Sequence, residues 1–205
     1  PAADENTKIV VQPYMEITIE DVDVQDQTVT LDITPMYRTV ATTAKLEEDE
    51  PIVLMETDES EPVNAVQIGE EKPLTITKPV TMTLKLQDIF KDQKVYIQHK
   101  WYEYSATADE QGKITFTNPH GFSSFTFTTE SQAAAKIDGT TYTSLQEAVN
   151  HVENGQTIIL LKNGTATVDR EVSFTIANES STTFKATLTP GSDYTMTQGE
   201  NGKYT

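Results

Sequence analysis

The seven residues Val80–Leu86, V-T-M-T-L-K-L, decide the fold class, because apolar and polar residues alternate through them without a break. Successive side chains of a β-strand point to opposite faces, so this pattern predicts one buried face and one face in water. A surface helix would instead need apolar residues three or four positions apart. The stretch therefore predicts a half-buried strand of an antiparallel sheet.

Short alternating runs of this kind recur along the chain as far as residue 132, with turn residues between them and no helical periodicity. Many short strands separated by turns are typical of a β-sandwich. The predicted strand Val29–Ile33 is expected to end at Pro35, since proline cannot donate to a sheet ladder. The further predicted strands are Met15–Ile19, Val29–Ile33, Tyr37–Thr43, Ile52–Met55, Leu74–Ile76, Val95–Gln98, Ile114–Phe116 and Phe122–Phe127.

Threonine is unusually frequent, at 33 of the 205 residues, while hydrophobic residues make up only 36% of the chain. A globular protein usually contains roughly 45 to 50% apolar residues. Threonine is β-branched and suits a pleated surface with one face in water. The composition therefore predicts exposed sheet faces that carry threonine, and it argues against disorder.

The pattern changes after residue 132. Asp138-Gly139 predicts a tight hairpin turn, and Thr143 or Ser144 can cap a following helix. Asn154-Gly155 is expected to stop that helix. Its apolar face would consist of Leu145, Ala148, Val149 and Val152.

The run Thr157–Leu161 is continuously apolar after its first residue and predicts a strand buried on both sides. Four more short strands are expected after it. With the single helix they predict a small α+β module over residues 133–205. These strands are Thr165–Val168, Val172–Ile176, Thr183–Leu188 and Tyr194–Met196.

Charge is distributed unevenly between the two parts. Residues 1–132 contain 24 acids and 10 bases, whereas residues 133–205 contain 8 acids and 5 bases. The small-residue stretch Ser131–Ala135 has no strand or helix pattern of its own. We place the domain boundary there, between residues 132 and 133.

The formal net charge of −17 excludes several classes of partner. A nucleic-acid-binding face would need basic residues to neutralise phosphates, and an anionic membrane surface would be repelled as well. With no cysteine there is no disulfide and no thiolate chemistry, and no apolar run is long enough to span a bilayer. The chain begins at Pro1 without a methionine, so we expect it to be a piece of a longer protein.

Two stretches of the C-terminal module match a known pattern. Ile137–Val149 and Asn154–Asn163 resemble the "I-x-G-x-x-Y-x-T-L-x-E-A-V … G-D-T-I-x-L-L-x-D" segment of large surface proteins of Gram-positive bacteria. Gln156 and Asn163 each stand where aspartate is usual. In such proteins the segment lies between adhesive and repeat modules, and in some it opens a parallel β-helix.

The end of the first domain carries a second resemblance. Lys94–Tyr104, Gly112–Phe116 and His120–Phe127 are similar to the closing hairpins of Ig-like modules in the same kind of surface protein. The usual glycine before the aromatic residue is absent, and Gln98 replaces a histidine. Together the resemblances imply an Ig-like β-sandwich at 1–132, a small α+β module at 133–205 and an extracellular or cell-wall location.

Acidic clusters at Glu47–Glu50 and Asp58–Glu61 lack the spaced ligands and central glycine of a calcium loop. We interpret them, and the triplet Asp21, Asp23 and Asp26 earlier in the chain, as solvated turns.

The three histidines, His99, His120 and His151, are too scattered to predict a zinc or catalytic site. Ser123-Ser124 lacks the glycine-flanked elbow of a serine nucleophile. We therefore expect neither a metal nor a cofactor, and no catalytic residue.

Four aromatic residues, Tyr96, Trp101, Tyr102 and Tyr104, form the best candidate for ligand recognition. Exposed rings can stack on sugars, and the neighbouring Glu103 could accept sugar hydroxyls. The alternative is that these rings fill the core of the sandwich. The two interpretations differ in whether the rings lie exposed on one flat face.

These patterns favour a non-catalytic segment of a bacterial surface protein that acts as a spacer, presentation or adhesion module. We expect a monomer whose partner is an extracellular protein or a glycan. One alternative is a carbohydrate-binding module that uses Trp101, Tyr102 and Tyr104. The other is a fragment of a β-helical polysaccharide-processing enzyme, which would need a basic residue among clustered acids; Arg170 is the one arginine of the second module.

Overall fold

A computed structural model describes residues 8–42, 65–86, 88–179, 181 and 183–205. The described chain is mainly β with one short helix, α1 (Leu145–His151), which confirms the predicted fold class. Short 3-10 turns occupy Asp88–Phe90 and Glu200–Gly202. The strands are β1 (Lys8–Asp23), β2 (Thr28–Thr42), β3 (Ala65–Gln67), β4 (Lys72–Pro73), β5 (Val80–Lys85), β6 (Lys94–His99), β7 (Tyr102–Thr107), β8 (Lys113–Asn118), β9 (Ser124–Thr128), β10 (Ala135–Ile137), β11 (Thr140–Tyr142), β12 (Thr157–Leu160), β13 (Gly164–Val168), β14 (Phe174–Asn178), β15 (Ala186–Pro190) and β16 (Lys203–Tyr204).

The chain divides into two compact units. The first unit contains the described residues up to Val95 together with Ala106–Thr126, and the second contains Tyr96–Ser105 together with Phe127–Thr205. Strands β6, β7 and β9 contribute residues to both units. The domain boundary after residue 132 and the Ig-like sandwich both stay predictions.

A long antiparallel hairpin, β1 with β2, begins the first unit. Its register runs from Lys8 opposite Thr42 to Asp23 opposite Thr28, with one shift between Ile19 and Asp21. The prediction that β2 ends at Pro35 is wrong, because the strand continues to Thr42.

The position of Pro35 explains why the strand continues. The carbonyl of Pro35 accepts a hydrogen bond from the backbone N–H of Leu74, at 2.8 Å. The backbone of Pro35 therefore points away from β1, and its missing N–H costs the hairpin no hydrogen bond. Leu74–Ile76, which was expected to form a strand, lies beyond β4 and is not one. The predicted strand Ile52–Met55 lies outside the described residues.

The ladder of β5 with β8 confirms the expected division of faces. Met82 and Leu84 of β5 are buried, as is Phe116 of β8. On the other face, threonine hydroxyls pair across the strands, Thr81 with Thr117 at 2.8 Å and Thr83 with Thr115 at 2.9 Å. The ring of Phe116 lies 6.0 Å from that of Phe125 on β9, so the buried face packs against the sheet that contains β2 and β9.

The turn between β7 and β8 depends on Asp109. The backbone N–H of Lys113 and that of Gln111 each donate to Asp109 Oδ1 at 2.8 Å. These bonds favour the charged carboxylate, and the bond from Lys113 is the main cause that lowers the pKa of Asp109 below its ordinary value of 3.8.

We expect the lowered pKa of Asp109 to appear as acid sensitivity. Because the folded pKa lies below the unfolded one, the stabilisation is present above pH 3.8 and is lost as the pH falls through the folded value. The Asp109→Asn variant keeps an acceptor oxygen but cannot titrate. Urea unfolding at several pH values should therefore show the wild type losing more stability than Asp109→Asn on acidification. Equal losses would contradict this role.

The second unit begins with the predicted hairpin. Asp138 and Gly139, with φ of 46° and 90°, form the turn between β10 and β11. The helix α1 follows, and the Ser144 hydroxyl accepts the N–H of Glu147 at 3.1 Å as its cap. The predicted apolar face is confirmed, since four side chains of this segment are each at most 3% exposed: Leu145, Ala148, Val149 and Val152.

Two parallel ladders follow α1. In the first, Thr157 of β12 pairs with Thr175 of β14, 18 positions further along the chain. In the second, Gly164 of β13 pairs with Ala186 of β15, 22 positions further along. Each of β14 and β15 thus pairs with the strand two before it, so β12 and β13 form one layer of strands and β14 and β15 form the next. Phe174 of β14 lies buried in the core of this unit. The strand predicted at Tyr194–Met196 is not formed.

Close packing of α1 on β13 requires glycine at position 164. A Cβ atom there would lie 2.8 Å from the Cβ of Leu145. The predicted strand Thr157–Leu161 corresponds to β12, which lies between β10 and β14. Ile158 and Leu160 are fully buried, whereas Ile159 is partly exposed, so the expected burial on both faces is only partial.

Candidate functional site

The four predicted ligand-binding aromatic residues all lie in the second unit. Tyr96 is on β6, Trp101 is in the turn that follows, and Tyr102 and Tyr104 are on β7. Tyr102 is 9% exposed and belongs to the hydrophobic core, while the other three side chains are half-buried. Trp101 and Tyr104 pack against the same core. The rings therefore do not form one flat exposed face.

Ring contacts show what this aromatic cluster packs against. The Tyr102 and Tyr142 centroids are 5.4 Å apart, and Tyr142 stacks on His151 at 5.6 Å. Trp101 lies 5.0 Å from His151, which is the last residue of α1. The cluster thus joins the β7 and β11 strands to the end of the helix, as a core contact would.

Burial also affects the ionisation of these rings. It raises the pKa of Tyr104 far above its ordinary value, and it is the main cause that raises the pKa of Tyr142, with a smaller effect from Tyr102. Both hydroxyls therefore stay protonated at physiological pH. The Trp101 Nε1 donor is buried and has no hydrogen-bond partner among the described residues. The ligand-binding role of the four predicted residues stays a prediction.

The histidines serve separate local structures. His99 is buried at 1% exposure in the second unit, whereas His120 lies in the first unit, where its backbone N–H donates to Asn118 Oδ1. His151 Nδ1 lies 2.7 Å from the carbonyl of Glu147 and 3.8 Å from its carboxylate. Within the described ranges, no three histidine, aspartate or glutamate side chains are placed to hold a metal ion.

The acidic and serine candidates also have structural roles. Asp23 Oδ1 accepts the backbone N–H groups of Gln25 and Asp26, which forms the tip of the first hairpin. Ser124 begins β9, and the carbonyl of Ser123 accepts the N–H of Ile33 on β2. The clusters at 47–50 and 58–61 lie outside the described residues.

Glu103 is a buried carboxylate that sequence reasoning considered only as a neighbour of the aromatic rings. It is 7% exposed and lies on β7 in the second unit. Its two oxygens accept hydrogen bonds from the Ser131 hydroxyl and the Gln132 backbone, both at 2.6 Å. Glu103 therefore holds the connection from β9 to β10, and both of its oxygens are occupied.

An open cleft of about 660 Å³ lies within the second unit. Arg170 is in its wall, but the guanidinium Nη2 donates to the carbonyls of Val149 and Val152 at the end of α1. Its Nε is buried without a partner among the described residues. The sequence did not predict the cleft, since its lining comes from separate segments. The residues that line it include Glu171, Ser173, Asp193, Tyr194, Met196 and Tyr204.

The first strand, β1, presents an unusual surface. It is sixteen residues long and lies at the edge of its sheet. Three of its apolar side chains are mostly in water, with Ile9 70%, Val11 64% and Ile19 66% exposed. Exposed apolar side chains along an unpaired strand edge mark a site where another chain can add.

Hydrogen bonds of β2 show which groups of β1 face outward. Ile33 donates to Ser123, and Thr39 accepts from Ile68, so odd-numbered residues of β2 bond on the side away from β1. The register pairs odd residues with odd residues as far as Ile19. Because backbone direction alternates along a strand, the odd-numbered residues of β1 also direct their N–H and C=O groups away from β2. Among the described strands, β1 pairs with β2 alone.

The same surface is acidic. Residues 8–23 contain one base, Lys8, and four acids, Glu16, Glu20, Asp21 and Asp23, for a net charge of −3. The side chains of Glu16 and Glu20 are exposed. We refer to the odd-numbered backbone groups and side chains of residues 9–19 as the β1 edge.

Comparison of the chain with protein families, with curated proteins and with solved structures found no match. No described helix has the length and apolar character needed to cross a membrane.

Proposed function

We propose that the chain is a non-catalytic adhesion or presentation segment of an extracellular or wall-attached bacterial surface protein. The observation that carries the proposal is the β1 edge, the outer side of a long strand that pairs only with β2 among the described strands and carries apolar side chains in water. An adhesion module binds its partner through an exposed surface. An exposed sheet edge can bind an extended segment of another protein as an added strand, through backbone hydrogen bonds and without a pocket.

Composition and construction support the same function. The net charge of −17 favours solubility and opposes self-association outside the cell. Antiparallel ladders with threonine pairs on the water-facing side, as in β5 and β8, give a sheet that does not depend on disulfides. The two resemblances to surface-protein modules point to the same setting.

The proposal is tested on intact cells that produce the protein. Brief protease treatment of intact cells should release peptides of this chain, since loops of a surface module are accessible from outside. A cytoplasmic protein of the same cells serves as the control and should release none. Recovery of this chain's peptides only after lysis would overturn the proposed location and function.

Glycan binding remains a second candidate, and the cleft supports it. Tyr194 is 42% exposed beside Asp193, and an exposed ring next to a carboxylate suits a sugar. The two parallel ladders are the feature that a β-helical polysaccharide-processing enzyme would share. Arg170, however, is held by carbonyls at the end of α1, so it is poorly placed to act as a catalytic base.

The fluorescence of Trp101 tests whether a glycan binds to the aromatic cluster of Trp101, Tyr102 and Tyr104. Because its ring packs at 5.0 Å on His151 against the core, we expect its fluorescence to stay unchanged when a broad glycan panel is added. Binding in the cleft would instead be detected by calorimetry and abolished by Tyr194→Ala. A shift of the tryptophan emission with any glycan would contradict the packed interpretation.

A further inference from the structure

We infer that the β1 edge over Met15–Ile19 binds an extended segment of a partner protein in which basic and apolar residues alternate, by strand addition. The inference rests on the proposed adhesive function and names the chemistry of the partner. Backbone pairing, side-chain matching and charge each support it.

Backbone groups define where the added strand can lie. Met15, Ile17 and Ile19 each direct an N–H and a C=O away from β2. Pro13, two residues earlier on the same side, has no N–H to offer. A continuous ladder is therefore available over Met15–Ile19 and is interrupted at Pro13. That length matches the strands of about five residues that commonly add to sheet edges.

The apolar face of the sheet continues onto this segment. Ile33 of β2 is fully buried and lies directly opposite Ile17, which is half-buried. Leu31 is 4% exposed and lies opposite Ile19, which is 66% exposed. The sheet face that is buried at β2 therefore becomes exposed to water at β1. An added strand with apolar residues at alternate positions would extend this face and cover Ile19.

The acidic residues of β1 indicate which residues the added strand should carry between its apolar positions. Glu16 lies in the docking segment, and Glu20, Asp21 and Asp23 follow it, with no base between residues 9 and 23. Opposite charges stabilise neighbouring cross-strand positions, whereas like charges destabilise them. The added strand should therefore carry lysine or arginine. A second copy is disfavoured, because its own residues 8–23 have a net charge of −3 and the whole chain has −17.

The probe is a labelled ten-residue peptide in which lysine and valine alternate, followed by fluorescence anisotropy on the full chain. We expect saturable binding that weakens as salt is added. There are two control peptides, one with the lysines and valines in separate blocks and one with glutamate in place of lysine. Each should bind with a Kd at least about tenfold higher, a difference in binding free energy of about 1.4 kcal/mol.

Two variants of the protein test the position. Ile19→Lys adds a positive charge to the edge, and Ile17→Pro removes an outward N–H that the β1–β2 ladder does not use. Both should weaken binding about tenfold or more. Val24→Lys makes the same charge change at a residue 72% exposed beyond the end of β1, and should bind as the wild type does. Unchanged thermal unfolding would show that each variant is folded.

The proposal is overturned if the three peptides bind equally, or if Ile17→Pro and Ile19→Lys bind the alternating peptide like the wild type. It is also overturned if sedimentation shows a wild-type dimer that Ile19→Lys dissociates, since a second copy would then occupy the edge. These outcomes are independent of peptide release from intact cells, so failure here leaves the proposed location and function in place.

Discussion

Replacing Phe174 with alanine should lower the free energy of unfolding of the second unit by about 3 to 5 kcal/mol. Phe174 begins β14 and is 1% exposed, and its ring stacks on Tyr204 at 5.7 Å. Truncation removes the transfer free energy of the ring and leaves a cavity among β-strands that cannot easily close around it. Urea unfolding followed by circular dichroism measures the loss.

Tyr194→Ala is the matched control for this prediction. It removes an aromatic side chain of similar size from the same unit, but the Tyr194 side chain is 42% exposed. We expect a change of about 0.5 kcal/mol or less. Equal losses for the two variants would show that the core of the second unit does not lie at Phe174.

Replacing Ile33 with alanine should destabilise the first unit by about 2 to 5 kcal/mol. Ile33 is fully buried on β2, whereas Ile19 lies on the same face of the hairpin and is 66% exposed on β1. Ile19→Ala should therefore change the stability by only about 0.5 kcal/mol. The same urea unfolding measures both.

Comparison of Ile33→Ala with Ile19→Ala also tests whether the apolar face of the hairpin is exposed at β1. Both side chains belong to alternating apolar runs, and they differ only in the cover that the surrounding strands provide. If Ile19→Ala cost as much as Ile33→Ala, the outer strand would be packed in the isolated chain, and the β1 edge would not be available to a partner.

Period-two patterning predicted much of the fold because it reports which face of a strand is buried. Val80–Lys85 of this run formed β5, with Met82 and Leu84 buried and with paired threonines on the other face. Asp138-Gly139 formed its turn, and Ser144 capped the helix, because both effects depend on local backbone conformation.

What alternation could not predict is the neighbour of each strand. Met15–Ile19 has the same pattern as a core strand, yet β1 lies at the edge of its sheet, and its exposure follows from that position. The parallel pairing of β12 with β14 likewise joins residues 18 positions apart that no local pattern links. Pairing over such distances is decided by the packing of the whole unit.

The candidate site was missed for the same reason. Aromatic residues at 96–104 suggested a binding face, but Tyr102 fills the core beside Tyr142, where the second unit needs a large side chain. The signal that could have indicated the β1 edge was present in Pro13 and in the acids that follow it, since proline and charge are common on edge strands.

Amide hydrogen exchange along β1 is the most direct test of whether this edge is open to a partner. Over residues 9–19 of the isolated chain, before the register shift, we expect slow exchange at the even-numbered residues, which bond to β2, and fast exchange at the odd-numbered residues other than Pro13, which has no amide hydrogen. Addition of the alternating lysine and valine peptide should slow exchange at Met15, Ile17 and Ile19. Protection of these three amides in the isolated chain would contradict the account, because their edge would already be paired.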